Sequence, residues 1–233
     1  MPPFQVPANL RSQPLTLSAS TEAQTYALFA LAMGLTVFGV FLGMAAAPAL
    51  LRSGMHIPLL IAELAIVFTA PWWMEKTPLN YLLFAFFPLL SGITVTPYLM
   101  AVLAGYANGG AILLNALLAT SFMSAAAAVF SRKVAGNLMH LSGMLFLAVI
   151  GLLVMGILQI FFPLLRTGVF ELVVSGGGIL VFALFLAVDL QRVAAQSRMG
   201  ANPILLALSL YLDIFNLFLY VLRFMVAISG ERR

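Results

Sequence analysis

The chain has 233 residues, 63% of them hydrophobic and 8% charged, and it contains no cysteine. Soluble domains carry roughly 45–50% apolar and 25% charged residues, so a soluble globule of this composition could not cover its surface. An integral membrane protein with short loops follows, which excludes a large soluble catalytic domain, a disulfide framework and thiol chemistry. The net charge of +4 comes from basic residues scattered over loop after loop, a pattern of membrane topology and not of a nucleic-acid partner.

Residues 1–24 are polar and proline-bearing, with Arg11 and no apolar core behind it. They are predicted to form a disordered cytoplasmic tail, not a signal peptide. Residues 25–233 then read as one transmembrane domain. Seven apolar stretches follow one another at 25–51, 57–74, 79–105, 109–130, 138–162, 169–190 and 203–229, each long enough to cross about 30 Å of hydrocarbon as a helix. The predicted fold is an all-α bundle of seven transmembrane helices, with short connections making successive helices antiparallel neighbours.

The tail and alternate loops hold Arg11, Lys76, Arg132, Lys133, Arg192 and Arg198, whereas the opposite loops hold Arg52 and Arg166. The positive-inside rule then puts the N-terminus in the cytoplasm and the C-terminus outside, against the weaker pull of Arg232 and Arg233. Gly39 and Gly43 in the first span, and Gly176 to Gly178 in the sixth, permit close helix approach. Pro71, Pro88 and Pro97 are expected to kink their helices. Trp72, Trp73, Tyr81 and Tyr106 fall near span ends, as an interfacial belt requires. His56 and His140 also sit at span ends and read as solvated side chains.

Charges inside the spans are costly and mark the places where function is sought. Four stand out: Glu63, Asp189, Asp213 and Arg223. Asp189 and Asp213 lie symmetrically about the turn between the last two helices, so an antiparallel hairpin brings the carboxylates to matched depth near its cytoplasmic end. Two carboxylates meeting there cannot both ionise cheaply and would share a proton. That suits a proton-sensitive gate, a hard-cation site or an acid–base pair. The alternative is that each aspartate is held separately, for example Asp189 by Arg192 at i+3. Asn216, one turn beyond Asp213, could lend a neutral oxygen to an ion or bond to a neighbouring helix. Glu63 and Arg223 both fall in the outer third of the membrane and are expected to pair, unless Arg223 snorkels to the headgroups.

The last helix, Ala207-Leu-Ser-Leu-Tyr-Leu-Asp213-Ile-Phe-Asn216-Leu-Phe-Leu-Tyr-Val-Leu-Arg223-Phe, closely resembles the signature helix of the Bax inhibitor-1 family. The end of the sixth span, Ala187-Val-Asp189-Leu-Gln-Arg192, is similar to that family's Tyr-Asp segment followed by a basic residue. The segments 143–151 and 61–65 also look like bacterial members. The resemblance implies a seven-helix bundle with the last helix central and a pH-sensitive calcium leak governed by two aspartates, here Asp189 and Asp213, with Glu63 as the acid of helix two. Two departures stand out. Val188 replaces the usual tyrosine before the first aspartate. Met74, Glu75 and Lys76 stand where some members carry an arginine that locks the pair, leaving the lock absent or supplied by Lys76.

The leading expectation is a non-enzymatic, inner-membrane calcium leak gated by protonation, whose partners are the lipid bilayer, Ca²⁺ and H⁺, with no bound cofactor. A second is a regulatory protein that engages a membrane protease through its tail, as the resemblance to bacterial members implies. A remote third is an intramembrane aspartyl protease, disfavoured because Leu210, Tyr211 and Leu212 precede Asp213 where that chemistry uses glycine.

Overall fold

The computed structural model describes residues 20–230, apart from 135, 163, 164 and 166. The expected tail up to residue 19 lies outside the described residues, as do Arg11, Arg166, Arg232 and Arg233 of the topology pattern. Among the described residues there are helices and no strands: α1 (Thr21–Ser53), α2 (His56–Phe68), α3 (Ala70–Trp73), α4 (Leu79–Gly105), α5 (Gly109–Lys133), α6 (Ser142–Phe161), α7 (Gly168–Gln196) and α8 (Pro203–Ser229). Uninterrupted apolar sequence dictates this, since a chain in lipid must satisfy every backbone group internally. Six helices among the described residues are long and apolar enough to cross a membrane. Helix α1 begins at Thr21, earlier than the sequence pattern indicates, because the Ser20 hydroxyl caps it by accepting from Ala23 N at 3.2 Å.

The 57–74 stretch is not one helix. It divides at Thr69, whose Oγ1 bonds Ala65 O at 2.6 Å, and α3 starts again around Pro71. Proline has no N–H to continue α2 and its ring clashes with the carbonyl four residues back. Helix α2 alone rises only about 20 Å, less than a hydrocarbon core. By contrast α4 runs on through Pro88 and Pro97.

Helices α1 and α4 lie parallel and nearly touch. Gly39 faces Leu89 and Gly92, and Gly43 one turn on faces Ile93 and Thr96; a Cβ on Gly39 or Gly92 would run into the opposite backbone. Two parallel helices require the segment between them to bring the chain back, and α2 and α3 do so alongside α4. Glu63 of α2 meets Ser91 and Thr94, and Met74 reaches the level of Asn80 and Asn202, whose side-chain amides donate to its carbonyl at 3.2 and 3.0 Å.

Helices α7 and α8 form an antiparallel hairpin. Gly200 turns the chain with φ 74°, a conformation that glycine alone adopts without steric cost. Asn202 then caps α8 by accepting from Ile204 N at 2.9 Å, with Pro203 as its first residue. Helix α8 packs on α1, α4, α5 and α7. Its Ala207, Leu208 and Tyr211 complete one apolar core with α1 to α4, and its Leu206, Leu210, Leu217 and Leu222 complete another with α5 and α7. Helix α6 leans on α7 and leaves most of its apolar surface outward. Of the four belt aromatics, Trp72 and Tyr81 are exposed, but Trp73 and Tyr106 are core residues, 4% and 7% exposed. The Trp73 indole turns inward because it donates to Ile66 O at 3.0 Å. Lys76, Arg132, Lys133, Arg192 and Arg198 gather at the end where α1 and α8 begin, and Arg52 stands at the other end of α1.

Candidate functional site

Asp189 on α7 and Asp213 on α8 are both buried, 2% and 5% exposed, and lie within electrostatic reach of each other. The hairpin register differs slightly from strict symmetry about its turn. Asp189 lies nearest the level of Ser209, whose hydroxyl donates to Leu206 O at 3.0 Å, so Asp213 stands about 6 Å, one turn, further along α8. Helix α8 continues unbroken through Asp213.

The surroundings of the pair are unequal. Arg192, one turn beyond Asp189 on α7, brings Nη1 to 2.6 Å from Asp189 Oδ1, close enough for an ion pair but without the alignment of a hydrogen bond. Its Nη2 donates to Ser142 Oγ at 3.2 Å, which ties the start of α6 to the pair. Asp213 Oδ2 has no hydrogen-bond partner among the described residues. One guanidinium thus pairs with Asp189 and lies within electrostatic reach of Asp213. The i+3 contact with Arg192 is formed, and Asp213 lies within electrostatic reach of the same two side chains. Lys76 is exposed and forms no ion pair among the described residues, so the basic group beside the dyad is Arg192. Val188 is fully buried, and the hydroxyl beside Asp189 comes from Ser209.

Asn216 does not turn to the pair: its Nδ2 donates to Leu212 O of its own helix at 2.8 Å. Among the described residues no cluster of three or more metal-ligating side chains forms; the dyad brings together two carboxylates.

The expected Glu63–Arg223 pair is not formed. Glu63 accepts from Ser91 Oγ at 3.3 Å and from Thr94 Oγ1, two hydroxyls one turn apart on the face of α4 that α2 covers. Arg223 instead pairs with Glu171 on α7, Nε to Oε2 at 2.5 Å, and donates from Nη2 to Gln159 on α6. Gln159 in turn donates to Glu171 Oε1 at 3.0 Å, which closes a three-helix cluster. Matching depth is necessary for a contact, but the rotation of α8 decides it, and that rotation aims Arg223 at α6 and α7.

Beyond these, Tyr211 is completely buried and its hydroxyl lies 2.9 Å from Thr36 Oγ1 on α1, with Ser91 beside it. Two polar pairs, Glu63 with Ser91 and Tyr211 with Thr36, therefore lie side by side among α2, α4, α8 and α1. Each hydroxyl stands singly in an apolar segment, a common transmembrane composition that gave no distinguishing sequence signal.

The match that decides the lineage covers residues 19–231, with the family described as inhibitor of apoptosis-promoting Bax1. The chain belongs to the Bax inhibitor-1 family. It is 30% identical over 225 residues to an uncharacterized protein of Campylobacter jejuni, covering 96% of this chain and 94% of that one. It is 32% identical over 208 residues to an uncharacterized protein of Helicobacter pylori, covering 89% and 86%. An uncharacterized membrane protein of Streptococcus pyogenes is 29% identical over 175 residues, 70% of each chain. This Bax inhibitor-1 family chain is a multi-pass helical membrane protein, with the aspartate pair between its two last helices.

Proposed function

We propose that the protein is a calcium-permeable leak whose inner gate is the Asp189–Asp213 pair. The observation that carries this is two buried carboxylates on adjacent helices served by a single guanidinium, which pairs with Asp189 and acts on Asp213 only from a distance. With a shared proton, the pair bears one negative charge, Arg192 balances it, and α7 and α8 close together. When the proton leaves, the second charge has no counter-ion; the carboxylates repel, the hairpin loosens, and the freed oxygens attract a hard cation. Ca²⁺ takes six to eight oxygen ligands, more than the dyad offers. An ion is therefore held with water and in passing, as conduction demands. The Arg223–Glu171–Gln159 cluster ties α6, α7 and α8 together at the opposite end.

In the membrane, α2 and α3 together make the crossing between the parallel helices α1 and α4, giving seven crossings. The basic end is cytoplasmic by the positive-inside rule, the C-terminus lies outside, and the membrane is the inner membrane. The test is calcium entry into dye-loaded liposomes at alkaline pH. The parent is expected to conduct and Asp213→Asn to lose most of the flux, whereas equal flux from both would remove the dyad from the mechanism.

A further inference from the structure

A cavity of about 470 Å³ opens at the basic end of the bundle between α1, α5 and the end of α7. A smaller one of about 170 Å³ continues it toward the middle of the bundle, and the two share Tyr26, Ala128 and Leu190. The cleft exists because α1 and α5 each pack on α8 and leave a gap between them that runs along α7. Its two halves differ in chemistry. The mouth holds Arg132, Arg198 and Asn137 against one acid, Glu22. Neither arginine is in an ion pair, since the only two among the described residues are Arg192–Asp189 and Arg223–Glu171. The inner half is walled by Phe29, Leu186, Leu210 and Ile214.

The mouth is braced. Gln191 on α7 accepts from Leu138 N at 2.8 Å and donates to Ser131 O and Gly136 O at 2.9 and 3.3 Å, which fixes the chain between α5 and α6 that carries Asn137. A rigid concave site, cationic at the membrane surface and apolar beneath, selects an anionic amphiphile. Guanidinium forks match phosphate oxygens in pairs. We infer that this cleft binds one anionic phospholipid, its phosphate between Arg132 and Arg198 and one acyl chain in the groove below Leu190. The protein's own residues 1–19 carry Arg11 and no acidic residue, so they offer no charge to match the mouth. A hard cation is repelled by the same two arginines, which separates this cleft from the ion path.

The test uses the full chain, delipidated in a neutral detergent. Thermal unfolding is followed with added phosphatidylglycerol, with phosphatidylcholine, and with glycerol phosphate as the headgroup alone. Phosphatidylglycerol is expected to raise the midpoint by several degrees and the other two to leave it in place. Arg132→Gln with Arg198→Gln should weaken the apparent affinity by about tenfold or more, two lost charge-assisted contacts being ample for that. Leu190→Trp, which fills the junction of the two halves, should abolish the shift with both arginines intact. Mass spectrometry of the intact parent adds a measurement independent of the variants, with one phosphatidylglycerol retained in preference to phosphatidylcholine. Equal effects of the two lipids, a full shift with glycerol phosphate, or an undiminished shift in the folded double variant would each overturn the inference.

Discussion

Arg192 stands 2.6 Å from Asp189 and within electrostatic reach of Asp213, so it balances one of the two charges that an ionised pair carries. Removing it makes the second ionisation harder. Arg192→Gln should therefore move the pH profile of calcium flux to higher pH, by about one unit for loss of a nearby opposite charge; an unmoved profile would mean that the guanidinium serves only to hold Ser142 and α6. At the far end, the acid that matters to Arg223 is Glu171. A double-mutant cycle with Arg223→Gln and Glu171→Gln, read by unfolding in detergent, should give a coupling of about 1 kcal/mol or more for this half-buried pair, and the same cycle with Glu63→Gln should give none. The sequence carried the means to see this. Glu171 and Arg223 straddle the hairpin turn nearly as symmetrically as the two aspartates do, but Glu171 sits so near the start of its span that it passes for a flanking charge. Asn216 misleads for the opposite reason: its spacing from Asp213 is right, but a helical amide can bond its own backbone, and here it does.

Elements were easier to read than their contacts. Long apolar runs bounded by charge, proline or glycine locate α4 to α8 closely, because in lipid no other backbone arrangement satisfies the hydrogen bonds. The second stretch was harder, since hydropathy does not register what Pro71 does to a helix and reads through the break at Thr69. Glycine spacing predicted close approach and left the partner open; the parallel contact of α1 with α4 depends on the path of α2 and α3 between them. That contact makes a sharp forecast. Gly92→Val places side-chain atoms against Thr36 O and the Gly39 backbone, and should lower stability by about 1–3 kcal/mol as overpacking does, measured by thermal unfolding of the purified protein. Gly177, with open space where a Cβ would stand, should accept alanine with little change.

At the scale of the whole molecule, the proposed seven crossings require the short α2 and the one-turn α3 together to span what a single long helix would. The chain lacks cysteine, so single cysteines report sidedness cleanly. Cysteine at exposed Arg52, after α1, and at exposed Lys76, before α4, should react with an impermeant maleimide from opposite sides of the membrane, Arg52→Cys from outside and Lys76→Cys only after the cytoplasmic face is opened. Labelling of both from one side would leave six crossings. The central α8 links every part of the account, since it carries Asp213, Tyr211 and Arg223 and touches four other helices. The decisive measurement is calcium flux into liposomes holding the purified protein, taken across a range of pH for the parent and for Asp189→Asn and Asp213→Asn. Flux that rises with pH in the parent, with the pH dependence flattened in both variants, is the expected result, because a shared proton closes the hairpin and its loss opens it. A rise with pH that survives in both variants would contradict the account.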